Sequence, residues 1–248
     1  MDIEGTAART MRLLLLALLL PLAAWAETIV LFGQSNAGSP GQMADMPSAL
    51  AAPFERTRIF STHHPYWMIM RPGNNTQSLS LHGGLRNTFG LEVGIATQLA
   101  SLHPSNNFDI IKVSFGGTCI DQWNSGLLER AIGVIDAAES QPDAFVWVQG
   151  ECDRSAPSGY ASKEEELVDT LRSHYGGAPF FSVLLNRSLD GAIPINDQKA
   201  LVAVPNVSQI STQWSGFRFK DGVHYDSQTT FYLGRRIANK LTQAGVVK

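Results

Sequence analysis

Thr28-Ile29-Val30-Leu31-Phe32-Gly33-Gln34-Ser35-Asn36-Ala37-Gly38 is the stretch on which the reading of this chain turns. Thr28 to Phe32 is an unbroken β-branched, aliphatic and aromatic run, and Gly33 stops it. That pattern predicts a short strand buried on both faces. A polar cluster follows at once, where a chain leaving a parallel strand turns into its next segment. A serine there, between Gly33 and Gly38, sits at the open edge of a sheet with its hydroxyl exposed. Strand-to-helix nucleophile turns work the same way, although the spelling here is not G-x-S-x-G. The competing reading is that Gln34, Ser35 and Asn36 supply turn chemistry alone, so the rest of the chain has to decide.

Working outward, further short apolar strands are predicted at Phe108–Phe115, Ala144–Val148 and Pro179–Leu185. Helical spacing predicts helices at Leu91–Leu102, Leu127–Ala138, Lys163–Tyr175 and Ser227–Ala244, and a further segment occupies Asp197–Val204. Ser39 to Thr88 reads as a long irregular connection, rich in Pro, Gly, Asn, Ser and His. Connections of that length commonly cover a site. Its aromatics Phe54, Phe60, Tyr66 and Trp67 are read either as pocket walls or as core. Strands alternating with helices imply an α/β fold with a parallel sheet covered on both faces. No repeat or charge block divides the chain, so residues 27–248 are expected to form a single domain.

The 248 residues are 44% hydrophobic and 17% charged, with a net charge of -3, which suits one good core. That balance does not favour nucleic acid or an anionic membrane as partner. The six histidines are spread without H-E-x-x-H or clustered Cys/His spacing, so no metal site is expected. Arg9 and Arg12, the apolar run Leu13–Leu20 and the Ala24-Trp25-Ala26 ending read as a signal peptide over residues 1–26. Met11 is an alternative start and an uncleaved anchor the competing reading. The expectation is a periplasmic or secreted protein with no stable membrane association after cleavage. Export would permit a disulfide between Cys119 and Cys152, the two cysteines of the chain, but their separation in space is not readable from sequence.

Ligands of open parallel sheets bind outside the carboxyl ends of the strands. There this chain places Ser35, then Gly116-Gly117, then Gln149-Gly150-Glu151, while Asp221 and His224 lie just before the last helix. A serine hydroxyl needs an imidazole to take its proton, and His224 is the candidate base. Asp221, three residues earlier on a Gly-containing turn, is the candidate to orient it. Candidate oxyanion donors are the backbone N–H groups of Ser35 and Gly117 (or Gly116) and the side-chain amide of Gln149. Each piece also has a plain structural reading as turn, cap or strand-end hydrogen-bonder. Their joint occurrence at successive strand ends favours acyl transfer through a covalent intermediate, without a cofactor.

With these residues assembled, the chain resembles the SGNH hydrolases, in the branch holding carbohydrate esterase family 6 acetylxylan esterases and sialate O-acetylesterase-like domains. The words that carry the resemblance are Gly33-Gln34-Ser35-Asn36, Leu91-Glu92-Val93-Gly94, Gly116-Gly117-Thr118 with Trp123, Trp147-Val148-Gln149-Gly150-Glu151 with Asp153, and Asp221-Gly222-Val223-His224. The resemblance implies a three-layer α/β/α sandwich with a central, mostly parallel sheet. It also implies metal-free removal of O-acetyl groups from an acetylated carbohydrate. Ser35, His224 and Asp221 would be the triad, with Ser35, Gly117 and Gln149 in the oxyanion hole. Gln34, Asn36, Gly116 and Glu151 are supporting candidates, Glu151 either as a rival acid or as a brace of the Ser35 turn. Departures are Val148, where the family often has His or Tyr, and Cys119 and Cys152, where it often has serine; the resemblance places these in the walls of the substrate pocket more than in the triad. Alternatives of other kinds are a lipase or thioesterase on longer acyl chains and a catalytically silent carbohydrate-binding domain.

Overall fold

The computed structural model describes residues 26–77, 87–155, 159–189 and 207–248. The signal-peptide reading of residues 1–26 therefore falls almost wholly outside the described residues, as does the segment Asp197–Val204. Seven strands form the main sheet in the order β4-β3-β6-β1-β7-β8-β9. They are β1 (Glu27–Gly33), β3 (Phe54–Ser61), β4 (Met68–Met70), β6 (Phe108–Ser114), β7 (Ala144–Val148), β8 (Phe180–Val183) and β9 (Val207–Ile210). All neighbouring pairs are parallel except β3 with β4. A separate antiparallel pair joins β2 (Gly41–Gln42) to β5 (Thr88–Phe89). The longer helices among the described residues are α1 (Leu91–Leu102), α2 (Leu128–Ala137), α3 (Tyr160–Tyr175) and α4 (Ser227–Gln243).

β1 is the centre of the sheet, and its alternation explains the layering. Ile29 and Leu31 join the core that α1 and α4 cover, with Leu91, Ile95, Leu233 and Ile237. Val30 and Phe32 join the core under α2 and α3, with Leu128, Ile135, Leu167 and Leu171. Successive residues of a strand point to opposite faces, so a strand with helices on both sides must be apolar throughout. The result is the three-layer α/β/α sandwich. α1 and α4 cross closely: a Cβ at Gly94 would lie 2.1 Å from the Phe231 carbonyl oxygen, and one at Gly234 2.2 Å from that of Leu91.

The described part of the region from Ser39 to Thr88 is less irregular than its composition suggests. It contributes β3 and β4 to the sheet and β2 and β5 to the small pair. Phe60 is buried, Phe54 and Trp67 pack against the core, and Tyr66 is exposed. None of the four lines the cleft described below.

A buried acid in α3 yields a stability prediction. Both carboxyl oxygens of Glu164 are buried without a hydrogen bond of normal geometry among the described residues. Burial pushes this carboxyl from 4.5 up to about 8, and the Ser182 hydroxyl opposes the rise only in part. A folded-state value above the unfolded one means that the proton favours the fold. That contribution is complete below the unfolded value and is lost as pH rises through about 8. Glu164→Met removes the titrating group, so its stability relative to the native chain should grow from pH 4.5 upward and level off above pH 8. Between those limits the gain should amount to on the order of 5 kcal/mol, read from urea unfolding at several pH values. A difference that does not vary with pH would contradict this.

Candidate active site

The site is built where β1 ends. Gly33 pairs with Val148 across the sheet and has φ +141°, and a Cβ there would lie 2.0 Å from the Val148 carbonyl oxygen. Only glycine fits that backbone at that approach. The chain then folds into a single 3₁₀ turn, Ser35–Ala37, closed by Gly38 N–H to the Ser35 carbonyl at 3.0 Å. The turn lifts Ser35 into a cleft of about 1190 Å³ that Gln34, Gly116, Gly117, Asp221 and His224 also line.

Ser35, His224 and Asp221 stand in relay. His224 Nε2 lies 3.1 Å from Ser35 Oγ, and His224 Nδ1 lies 2.8 Å from Asp221 Oδ2. The other carboxylate oxygen, Oδ1, accepts from the backbone N–H of His224 at 2.8 Å and of Val223 at 3.2 Å. The D-G-V-H spacing makes this possible: Gly222, at φ +81°, turns the chain so that acid and base meet within one tight loop. Partial burial works to raise the Asp221 pKa, but the bonds from His224 and Val223 outweigh it and hold the carboxyl below its usual range. The acid therefore stays anionic at pH values where an ordinary aspartate protonates. The stability it lends is present above its unfolded value and is lost as pH falls through the lowered one.

Asn36 ties the serine turn to the histidine loop. Its Nδ2 donates to the Val223 carbonyl at 3.0 Å and to Glu151 Oε1 at 2.5 Å, while its Oδ1 accepts from Tyr225 N–H at 3.1 Å. The residues on both sides of His224 are thus pinned to the residue after Ser35. Gln34 Nε2 donates to the other Glu151 oxygen. Burial pushes the Glu151 carboxyl up, against the bonds from Asn36, Gln34 and Tyr225. Glu151 is the brace of the turn; Asp221 holds the histidine.

Gly116 abuts Ser35, since a Cβ there would lie 3.7 Å from Ser35 Cβ. Gly117 follows, exposed, at φ +72°. Neither Ser35 N–H nor Gly117 N–H donates to another backbone group among the described residues. Gln149 differs from its expected placement as a donor to the cleft. Its amide is buried and committed elsewhere, to the Thr118 carbonyl at 3.1 Å and Asp153 Oδ2 at 2.6 Å, while Tyr160 OH donates to its Oε1 at 2.7 Å. The same amide therefore anchors the loop that carries Gly117. Thr118 is held from its other side by Trp123 Nε1, which donates to its Oγ1 at 3.0 Å. Val148 lies in the core and not in the cleft wall. Cys152 does line the cleft, and it forms a disulfide with Cys119.

Sequence reasoning passed over the cations. Arg130, Arg154 and Lys220 line the cleft, and none is paired with a carboxylate among the described residues. Arg154 donates to the Glu151 carbonyl at 2.7 Å and Lys220 to the Pro40 carbonyl at 2.8 Å. Lys112 was also missed. It is buried in β6, 3.0 Å from Glu92 Oε2, and donates to Ser39 Oγ and the Thr76 carbonyl, each at 2.8 Å. Burial drives its pKa down, and Glu92 opposes this. Glu92, in the first turn of α1, is thus the buried partner of this cation. A lone lysine inside Phe108-Asp109-Ile110-Ile111-Lys112-Val113 was the available signal, since a buried charge requires a partner. Among the described residues no group of three or more His, Cys, Asp or Glu is placed to hold a metal ion, and no helix is long and apolar enough to cross a membrane.

The Ser35, His224 and Asp221 contacts lie at the carboxyl edge of a doubly covered parallel sheet, where open α/β sheets bind their ligands. Residues 26–243 match the family model of carbohydrate esterases described as sialic acid-specific acetylesterase, and the chain belongs to that family. It is accordingly a carbohydrate esterase. No curated protein matches it. Among solved structures, a protein from Arabidopsis thaliana is similar at TM-score 0.70 and 18% identity, over 88% of this chain and 98% of that one. NanS is similar at TM-score 0.64 and 15% identity, over 90% and 98%. A carbohydrate acetylesterase from Xanthomonas citri is similar at TM-score 0.62 and 17% identity, over 88% of this chain and 56% of that one.

Proposed function

We propose that this protein is an exported O-acetylesterase that works through an acyl-enzyme on Ser35 and takes an acetylated sugar bearing a carboxylate. The observation that carries the mechanism is the continuous relay from Asp221 through His224 to Ser35 Oγ, with contacts of 2.8 and 3.1 Å. His224 Nε2 takes the Ser35 proton as Oγ attacks the acetyl carbonyl. The oxyanion of the tetrahedral intermediate faces the Ser35 and Gly117 N–H groups. Collapse expels the sugar oxygen, to which His224 returns the proton. Water, deprotonated by the same imidazole, then releases acetate and restores the serine.

The preference for a carboxylated sugar, of the sialate kind, over a neutral xylan is supported by the three cleft cations without carboxylate partners. A charge-assisted hydrogen bond contributes about 1.5–3 kcal/mol. Lys220→Gln and Arg130→Gln should therefore each raise KM for an O-acetylated sialic acid about tenfold, leaving an uncharged aryl acetate within about twofold. The test is acetate release from acetylated sialic acid and acetylated xylan side by side. Faster release from xylan, with no change in either variant, would reject the carboxylate preference. Fatty acyl esters preferred over acetyl esters would return the lipase alternative. Export rests on the N-terminal pattern; sequencing of the protein recovered from the periplasm or medium should begin at Glu27.

A further inference from the structure

The disulfide Cys119–Cys152 joins the two loops that flank the nucleophile, with Cα atoms 5.0 Å apart across 33 residues of sequence. Cys119 lies two residues after Gly117, and Cys152 one residue after Glu151. The bridge thus connects the loop bearing an oxyanion donor to the loop bearing the brace of the Ser35 turn. Thr118 Oγ1 donates to the Phe115 carbonyl at 2.8 Å and so closes the Gly116-Gly117 turn at its ends, but nothing packs on Gly117 itself. Gly117 is exposed, and no atom lies within 4 Å of where its Cβ would be. Its orientation must come from its flanks. On the far side of Thr118 these are the disulfide and the hydrogen bonds around it: Gln149 to the Thr118 carbonyl, and Ile120 N–H to Asp153 Oδ2 at 3.0 Å.

Oxyanion donors act only when aimed before the reaction, and misplacement by about 1 Å can cost about 10²-fold. From this geometry we infer that the Cys119–Cys152 disulfide is a positioning group for the Gly117 donor, so that its redox state sets turnover. This rests on the esterase reading above. Cys152 lines the cleft, so a dithiol can reach it. One thiolate of the dithiol attacks Cys152 Sγ and expels the Cys119 thiolate, which takes up a proton. The second thiol then closes the dithiol into a cyclic disulfide and frees Cys152 as a thiol. The dithiol is oxidised by two electrons and the protein reduced by two. The hydrogen bonds of Gln149 and Asp153 remain, so the loss is partial.

The test is kcat and KM for an aryl acetate at 25 °C on the full chain in three states: oxidised, reduced with dithiothreitol, and reoxidised after its removal. Cys119→Ser/Cys152→Ser is measured beside them, and circular dichroism is recorded on each. On reduction, kcat should fall about tenfold with KM within about twofold, the double variant should match the reduced protein, and reoxidation should restore the native protein alone. Folded, reduced protein with kcat within twofold of the oxidised state would overturn the inference. So would loss of fold on reduction at 25 °C, which would make the bridge a fold staple. An oxidised protein with no esterase activity would instead remove the esterase reading, and the two failures are thereby told apart.

Discussion

Ser35→Ala should lower kcat/KM toward an aryl acetate by at least about 10⁴-fold, His224→Ala should do the same, and the double variant should lose little more. In the proposed mechanism the hydroxyl and imidazole act as one unit, with Ser35 Oγ 3.1 Å from His224 Nε2. Once either is gone, the other has no proton to exchange in the transition state. What remains is binding and oxyanion stabilisation, which neither substitution removes. Ser35 lines the cleft and is half-buried, and His224 is partly exposed, so both variants should unfold at the same urea concentration as the native protein. Steady-state kinetics on the three variants, with unfolding curves as control, check the expectation. Losses that multiply in the double variant would mean that serine and histidine act independently.

Glu151→Gln should cost about 2–3 kcal/mol of stability and about 10²-fold in kcat. Both oxygens of this buried carboxyl are occupied by amide donors, from Gln34 and from Asn36. A glutamine there turns one acceptor into an NH₂ facing another N–H, and one donor is left unsatisfied in the interior. If Asn36 lets go, it also loosens Val223 and Tyr225, which hold His224 in place. The contrast with Glu164 is instructive. Both are fully buried acids, but removal of Glu164 stabilises because nothing donates well to it, whereas removal of Glu151 destabilises because its neighbours are built around it. Urea unfolding and kinetics on Glu151→Gln measure both effects; unchanged kcat in a destabilised protein would reduce Glu151 to a purely structural role.

How far such features can be read from sequence depends on where they lie. Thr28 to Phe32 is legible because β1 sits between β6 and β7 with helices on both faces, so every position must be apolar. β3 is not, because Glu55, Arg56 and Arg58 are exposed near the sheet margin and break the run. β4 has three residues, and only the ends of β9 are buried, too little for a periodic signal. The meeting of Ser35, His224 and Asp221 was legible since Asp221 and His224 share one turn and Ser35 follows a strand. Gln149 was not, because the direction of a side-chain amide depends on Thr118, Asp153 and Tyr160, which only the fold brings to it. The same holds for Glu151, whose role as brace is decided by donors more than a hundred residues away in sequence.

The central claim is that Ser35 carries the acetyl group taken from a sugar. Acid quenching of the enzyme during turnover of an O-acetylated sialic acid, followed by peptide mass spectrometry, tests it directly. The account predicts an acetyl group on the peptide containing Ser35, absent from Ser35→Ala, with free acetate accumulating only in the native reaction. Acetate released without that adduct, an adduct on another residue, or no acetate released from any acetylated sugar would contradict it.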